Sequence, residues 1–245
     1  MDRRRRPTRR RPLRWHERPR AKRWMRFIIG VLTVLLVTLG GFCWWAYRAV
    51  QRVPAFYEQA RQADPKVLQA ASREFVQQVE QFQKQLEQTG RWEAVFTEDQ
   101  INGWLAIDAP QEFGDQIPPE IETPVVDLEP DTVWVAVRLK TDSFDTVLNL
   151  AAELDVAPET NEVSVRILEA YAGDLPIPLS TVKKRLRQAT ARLRVDLRWT
   201  GADDEAVVRI KIPRWIDEQQ RERILESIEI KAGHCRLSGR TVRRP

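Results

Sequence analysis

The run from Phe27 to Tyr47, FIIGVLTVLLVTLGGFCWWAY, contains no charged residue. At about 1.5 Å per residue, a helix over it is about 30 Å long, the thickness of a bilayer's hydrocarbon layer. Trp24 precedes the run, and Trp44, Trp45 and Tyr47 close it. Such rings favour the headgroup layer, where the body is apolar and the tip wet. The pattern predicts one transmembrane helix over 27–47, continuing from Arg48 until Pro54 disturbs it. Farther on, Leu68, Ala71, Phe75, Val79, Phe82 and Leu86 recur three and four residues apart. That is one apolar stripe of a helix that Asp64 and Pro65 start and Gly90 ends. The stripe either packs on the following domain or pairs with a second chain as a short coiled coil; it spans fewer than three heptads, which favours the domain.

Past Gly90 the period changes. Arg91 to Phe96 reads as a strand. Thr97 and Gln100 form a capping box that opens a helix with Ile101, Trp104 and Leu105 on one face, ending at Ala109-Pro110. Alternating segments follow. Val133, Val135, Val137 and Leu139 share a face; so do Phe144, Thr146, Leu148, Leu150, Ala152 and Leu154, with Asp145, Asn149, Glu153 and Asp155 opposite. Val163, Val165 and Ile167 repeat the pattern, as do Val195, Leu197 and Trp199, then Val208, Ile210 and Ile212. Turn signals separate them: Glu129-Pro130-Asp131, Pro158-Glu159-Thr160-Asn161 and Gly201-Ala202-Asp203-Asp204. One buried and one wet face is antiparallel behaviour. Two helices interrupt the strands, one capped by Ser180 and one over Trp215–Leu225; a hairpin turning at Ala232-Gly233 closes the chain. The expectation is an α+β protein: a transmembrane helix, a helical stalk, and a curled antiparallel sheet of about nine strands against about three helices, the helix after Thr97 crossing the concave face. The segments are a disordered tail (1–26), the span (27–47), the stalk (48–89) and the domain (90–245).

Charge gives direction to the span. Residues 1–26 hold 13 basic and 2 acidic side chains; of the chain's 40 and 35, that leaves 27 and 33 for the rest. Positive flanks stay cytoplasmic, so the domain is expected outside the cell membrane. The apolar run exceeds a signal peptide's usual core and no A-x-A site follows it, which favours an uncleaved anchor. The tail before Phe27 suits an anionic inner leaflet; strings of arginine also bind phosphate non-specifically, so nucleic acid is not assigned as a partner.

Candidate chemistry is sparse. Cys235 is the one cysteine after the span and His234 the one histidine, too few for a familiar zinc or haem site. Adjacent strand residues point apart, which argues against a Cys–His dyad. Asp203-Asp204-Glu205 is a dense acidic cluster in a turn. With no nucleophile elbow, phosphate loop or metal motif, the expectation is no enzyme, no cofactor and no metal.

Three segments carry a resemblance: WEAVFTEDQINGWLA, AGDLPIPL at 172–179, and ESIEIKAGHCRLSGRT. Behind an N-terminal anchor, this order resembles the YpmS-like membrane-anchored proteins of unknown function. More distantly, it is similar to the tubular lipid-binding proteins, in which a curled antiparallel sheet wraps a long helix and holds acyl chains. The resemblance covers residues 90–242 and brings no catalytic residues. It implies a lipid or other apolar ligand, and the candidate contacts are Ile101, Trp104, Leu105, Val133, Val135, Val137, Phe144, Leu148 and Leu150. The same residues would serve equally as an ordinary core. The alternative is a non-catalytic assembly subunit of a cell-envelope complex, meeting a protein partner through Phe75, Val79 and Phe82 or through Trp134 and Trp215.

Overall fold

The computed structural model describes residues 19–114, 120–141, 144–190, 197–202, 205–212 and 221–243, with the backbone alone for 19–29, 144, 189 and 190. The chain divides into two units, residues 1–45 and 46–245. Helix α1 runs Pro19–Val50. Among the described residues it is the one helix long and apolar enough to cross a membrane, and its apolar side chains, such as Leu36 and Val37, are exposed. The hydroxyl of Thr38 donates back to the carbonyls of Val34 and Leu35 at 2.9 and 3.0 Å, so this polar group is satisfied within the helix.

The second unit is α+β. Two helices lead in: α2 (Ala55–Arg61) after Pro54, and α3 (Pro65–Leu86), whose N-cap Asp64 accepts from the Lys66 N–H. Strand β1 (Gly90–Thr97) runs into α4 (Glu98–Ile107) through the Thr97–Gln100 capping box, both of whose hydrogen bonds form, and α5 (Ala109–Phe113) follows. Then come β2 (Val125–Glu129), β3 (Thr132–Thr141), β4 (Phe144–Ala157), β5 (Glu162–Ala172), the short β6 (Leu175–Pro176), α6 (Leu179–Thr190), β7 (Leu197–Thr200), β8 (Ala206–Lys211), β9 (Arg221–Lys231) and β10 (His234–Arg243). All pairings among the described residues are antiparallel.

Hydrogen bonding divides these strands into two sheets where the alternation suggested one. A seven-stranded sheet has the order β2-β3-β4-β5-β8-β7, with β6 on β5; a three-stranded sheet has the order β1-β10-β9. Arg221–Leu225, expected in a helix, lies in β9: pairing with β10 through Arg243 overrides the charged, helix-favouring composition. Trp215 and the rest of that expected helix lie outside the described residues. Ser180 sits inside the first turn of α6; the carbonyl of Pro178 takes the first amides there.

The larger correction concerns the faces of the seven-stranded sheet. Asp145, Asn149, Glu153 and Asp155 suggested that their face of β4 is wet. Yet Val147, Asn149 and Ala151, between those carboxylates, are buried. Helix α2 covers part of this face: Tyr57 packs with Val125, Ala136 and Val147, flanked by Val53, Phe56 and Ala60. The end of α1 docks beside it. The hydroxyl of Thr146 donates to the Val50 carbonyl at 2.6 Å and the amide of Asp174 to Ala49 at 2.9 Å. Gly173 makes this approach possible: its φ is +60°, and a Cβ there would collide with the Ala49 and Val50 carbonyls.

Candidate apolar ligand site

Because Ala136 points to α2, its neighbours Val133, Val135 and Val137 occupy the opposite face. The register sets Ala152, Leu150 and Leu148 of β4 beside them, so five of the candidate residues form one patch. Leu154, Val165, Val208 and Ile210 continue it across β4, β5 and β8. Ala152 is buried, as are Leu128, Val163 and Ile167 on the same face; the other side chains of the patch are half-buried. A sealed core would take such residues fully out of water.

Helix α3 and the small sheet approach this face from one side. The stripe Leu68, Phe75, Val79, Phe82 and Leu86 is also half-buried. Its rings meet the domain: Phe75 lies 5.2 Å from Phe96 and 5.5 Å from Trp104, and Phe82 lies 5.3 Å from Trp92. Two hollows remain. One, of about 440 Å³, lies between Phe82 and Leu86 of α3, Trp92 and Leu237 of the small sheet, and Val163 on the patch face of β5. The other, of about 430 Å³, is lined by Trp104, Leu105, Phe113, Ile121 and Pro124. Ile121 bridges to Leu139, the next residue in the valine row.

The nine candidates therefore separate. Trp104 and Leu105 line a hollow. Val133, Val135, Val137, Leu148 and Leu150 form the patch and line neither. Ile101 is half-buried on α4, and Phe144 opens β4 with its backbone paired to Thr141. Sequence reasoning missed Phe82, Leu86 and Trp92 as lining residues, although the α3 stripe was the signal for two of them.

It also missed what places α4, which lies along the edge of β2 and not across the sheet. Asn102 is buried; its Oδ1 accepts from the Val126 N–H at 2.8 Å and its Nδ2 donates to the Val126 carbonyl at 2.7 Å. One turn earlier, Glu98 Oε2 accepts from the Leu128 N–H at 2.8 Å, and the Gly233 amide donates to the Leu128 carbonyl at 2.9 Å. The outward groups of Val126 and Leu128 are thus satisfied by side chains and a turn, which blocks another strand from adding there. On its other side α4 crosses α3 at Gly103, where a Cβ would lie 2.8 Å from the Leu68 carbonyl oxygen and the Ser72 amide nitrogen. Ser72 donates to Asp108 beside this crossing.

Charge stays off the patch. Burial pushes the carboxyls of Glu98 and Asp127 above their usual range. Burial also raises the Cys235 thiol. Its neighbour His234 has Nδ1 3.1 Å from the Ala232 carbonyl oxygen. Among the described residues no three or more His, Cys, Asp or Glu side chains gather as a metal site; Asp203 and Asp204 lie outside them. No known family model, curated protein or solved structure matches this chain.

Proposed function

We propose that the unit after the span is a membrane-anchored binding domain that holds a lipid or another apolar ligand. The observation that carries this reading is the row of half-buried apolar side chains on one face of the seven-stranded sheet, with a hollow of about 440 Å³ against Val163 of that face and another of about 430 Å³ lined by Trp104 and Leu105. Sites for small apolar ligands run from about 300 to 1,000 Å³ and are lined by such side chains. The likeness of residues 90–242 to tubular lipid-binding proteins supports the same class of ligand. In this reading the two sheets form a curled wall around α3, and the domain works outside the cell membrane, where the charge of the tail would leave it. The assembly reading loses one support, because Phe75 and Phe82 of its proposed contact surface are engaged with Phe96, Trp104 and Trp92.

Native mass spectrometry of the detergent-purified full chain, before and after delipidation, tests the proposal. The expected result is a co-purified lipid mass that delipidation removes and added lipid restores. Trp104→Ala should cut retention more than it lowers the melting temperature. A Trp serving only as core loses about 3–5 kcal/mol on truncation, and its effect would appear mainly in the melting curve. No lipid mass from any preparation would overturn the reading.

A further inference from the structure

We propose that the hollow lined by Trp104, Leu105 and Phe113 faces the bilayer that anchors the chain, and that a lipid passes between bilayer and domain there. The passage of lipid rests on the reading above; the contact with the bilayer does not. Residues 46–50 of α1 belong to the same unit as the two sheets. They are fixed within it. Ala49 is buried and its carbonyl accepts from the Asp174 amide, while the Val50 carbonyl accepts from the Thr146 hydroxyl. Arg52 Nη1 pairs with Asp174 at 2.8 Å. Val50 stands only one helical turn past Tyr47, the last aromatic of the span, a rise of about 4.5 Å. The headgroup layer on each side of a bilayer is about 5–7 Å deep. The domain therefore grips α1 at the level of the headgroups.

Strand register links that grip to the hollow. Thr146 pairs with Leu139 of β3, and Leu139 bridges to Ile121 in the hollow's wall. Two strand spacings of about 4.8 Å set Ile121 about 10 Å from Thr146. Hydrogen bonds on both sides hold Ile121 at this position: the Glu122 amide donates to the Arg138 carbonyl at 2.9 Å and the Lys140 amide to the Glu120 carbonyl at 2.8 Å. The other hollow is remote from the grip. Its wall residue Val163 lies near the opposite end of β5 from Gly173, about 30 Å of strand away. The near hollow also has the chemistry a bilayer accepts. Phe113 is 42% exposed, and among the described side chains after Tyr47 it is the one exposed aromatic. Its ring lies 6.2 Å from that of Trp104, edge to face. A single exposed ring is ordinary; one continuous with an apolar hollow, beside the point where the chain leaves a membrane, extends a surface that lipid already covers. The one charged residue of the lining, Glu122, pairs with Arg61 at 2.9 Å, so the wall offers acyl chains no unpaired charge.

The test uses the full chain, with Cys43 and Cys235 replaced by serine, in phosphatidylcholine nanodiscs. An environment-sensitive fluorophore is attached at Glu112→Cys, beside Phe113, or at Gln83→Cys, beside Phe82 of the remote hollow. Both native side chains are exposed, so neither label displaces core. The nanodiscs carry or lack phosphatidylcholine with a nitroxide near the top of its acyl chain. Blue-shifted emission and nitroxide quenching are expected at 112, and neither at 83. Phe113→Asp should abolish the quenching at 112 and reduce the lipid mass retained, with a melting temperature near that of wild type. No quenching at 112, or equal quenching at both positions, overturns the inference and leaves a lipid mass seen by native mass spectrometry standing. A label at 112 shielded from water but not quenched assigns the hollow to a protein partner or a second copy, and also overturns it. So does full quenching in Phe113→Asp. Quenching at 112 alone in a chain that retains no lipid mass supports the bilayer contact and overturns the passage together with the lipid reading. Should Phe113→Asp not fold, the comparison of 112 with 83 decides.

Discussion

Asn161 joins three segments of the domain that are far apart in sequence. It ends the turn between β4 and β5 with φ at 55°, in the left-handed region, and is 1% exposed. Its Nδ2 donates to the Ile212 carbonyl at 3.0 Å, its Oδ1 accepts from the Leu225 amide at 3.2 Å, and its own carbonyl accepts from the Ile212 amide at 2.9 Å. Asn161→Gly keeps the backbone at ease but drops both side-chain bonds, at about 1–3 kcal/mol per buried group left unpaired. Asn161→Ala adds left-handed strain of about 1–2 kcal/mol, so denaturant unfolding should rank wild type above Gly above Ala. The sequence Pro158-Glu159-Thr160-Asn161 announced the turn, but the partners of the amide come from residues 51 and 64 positions away and leave no local trace. A second residue-scale prediction concerns Asp127, whose carboxyl burial holds above the usual range. An acid so raised binds protons more readily folded than unfolded. Its contribution is therefore fully present below the unfolded value, near pH 4, and is lost as pH rises through the folded value. Asp127→Asn should thus raise the melting temperature at pH 7 relative to wild type, and the gap should close below about pH 4. An unchanged gap across that window would show that burial of the carboxyl does not govern it.

Elements with local signals were legible, and those set by distant contacts were not. The Thr97–Gln100 box and the Asp64-Pro65 start are written within four residues of the helices they open, and both form. Alternation located β3, β4, β5 and β8 because a two-residue period is a local property. It did not tell which face is covered. Helix α2, seven residues after a proline, decides that by seating Tyr57 on Ala136 and Val147, and Val147 and Ala151 were the sequence signal that the supposed wet face was apolar at its centre. The role of α4 was hidden for the same reason: Asn102 and Glu98, one turn apart, pair with a strand more than twenty residues on. Asn102→Leu removes both partners of Val126 while adding apolar bulk. It should cost about 1–3 kcal/mol for each orphaned backbone group and speed amide exchange at Val126 before the rest of the sheet. Uniform exchange across β2 and β3, with stability unchanged, would mean that the helix does not hold this edge.

At the scale of the whole molecule the sequence separates charge as cleanly as it separates hydropathy. The 26 residues before the span carry a net +11 and the residues after it a net −6, since 40 basic and 35 acidic side chains divide as 13 and 2 against 27 and 33. Retention of basic flanks is counted over short segments next to the apolar run, and this flank is both short and adjacent. The acidic excess on the other side contributes little by that rule, so the prediction rests on the arginines. Substituting Asp2→Cys and Asp203→Cys singly, in a chain with Cys43 and Cys235 replaced by serine, places one thiol on each side of the span. A membrane-impermeant maleimide added to intact cells should label position 203 and leave position 2 unlabelled until the cells are opened. Replacing the arginines from Arg3 to Arg14 with glutamine should then mix the two patterns, because the remaining basic flank no longer dominates. Labelling of position 2 alone in intact cells would invert the orientation, and with it the compartment from which the domain draws any ligand.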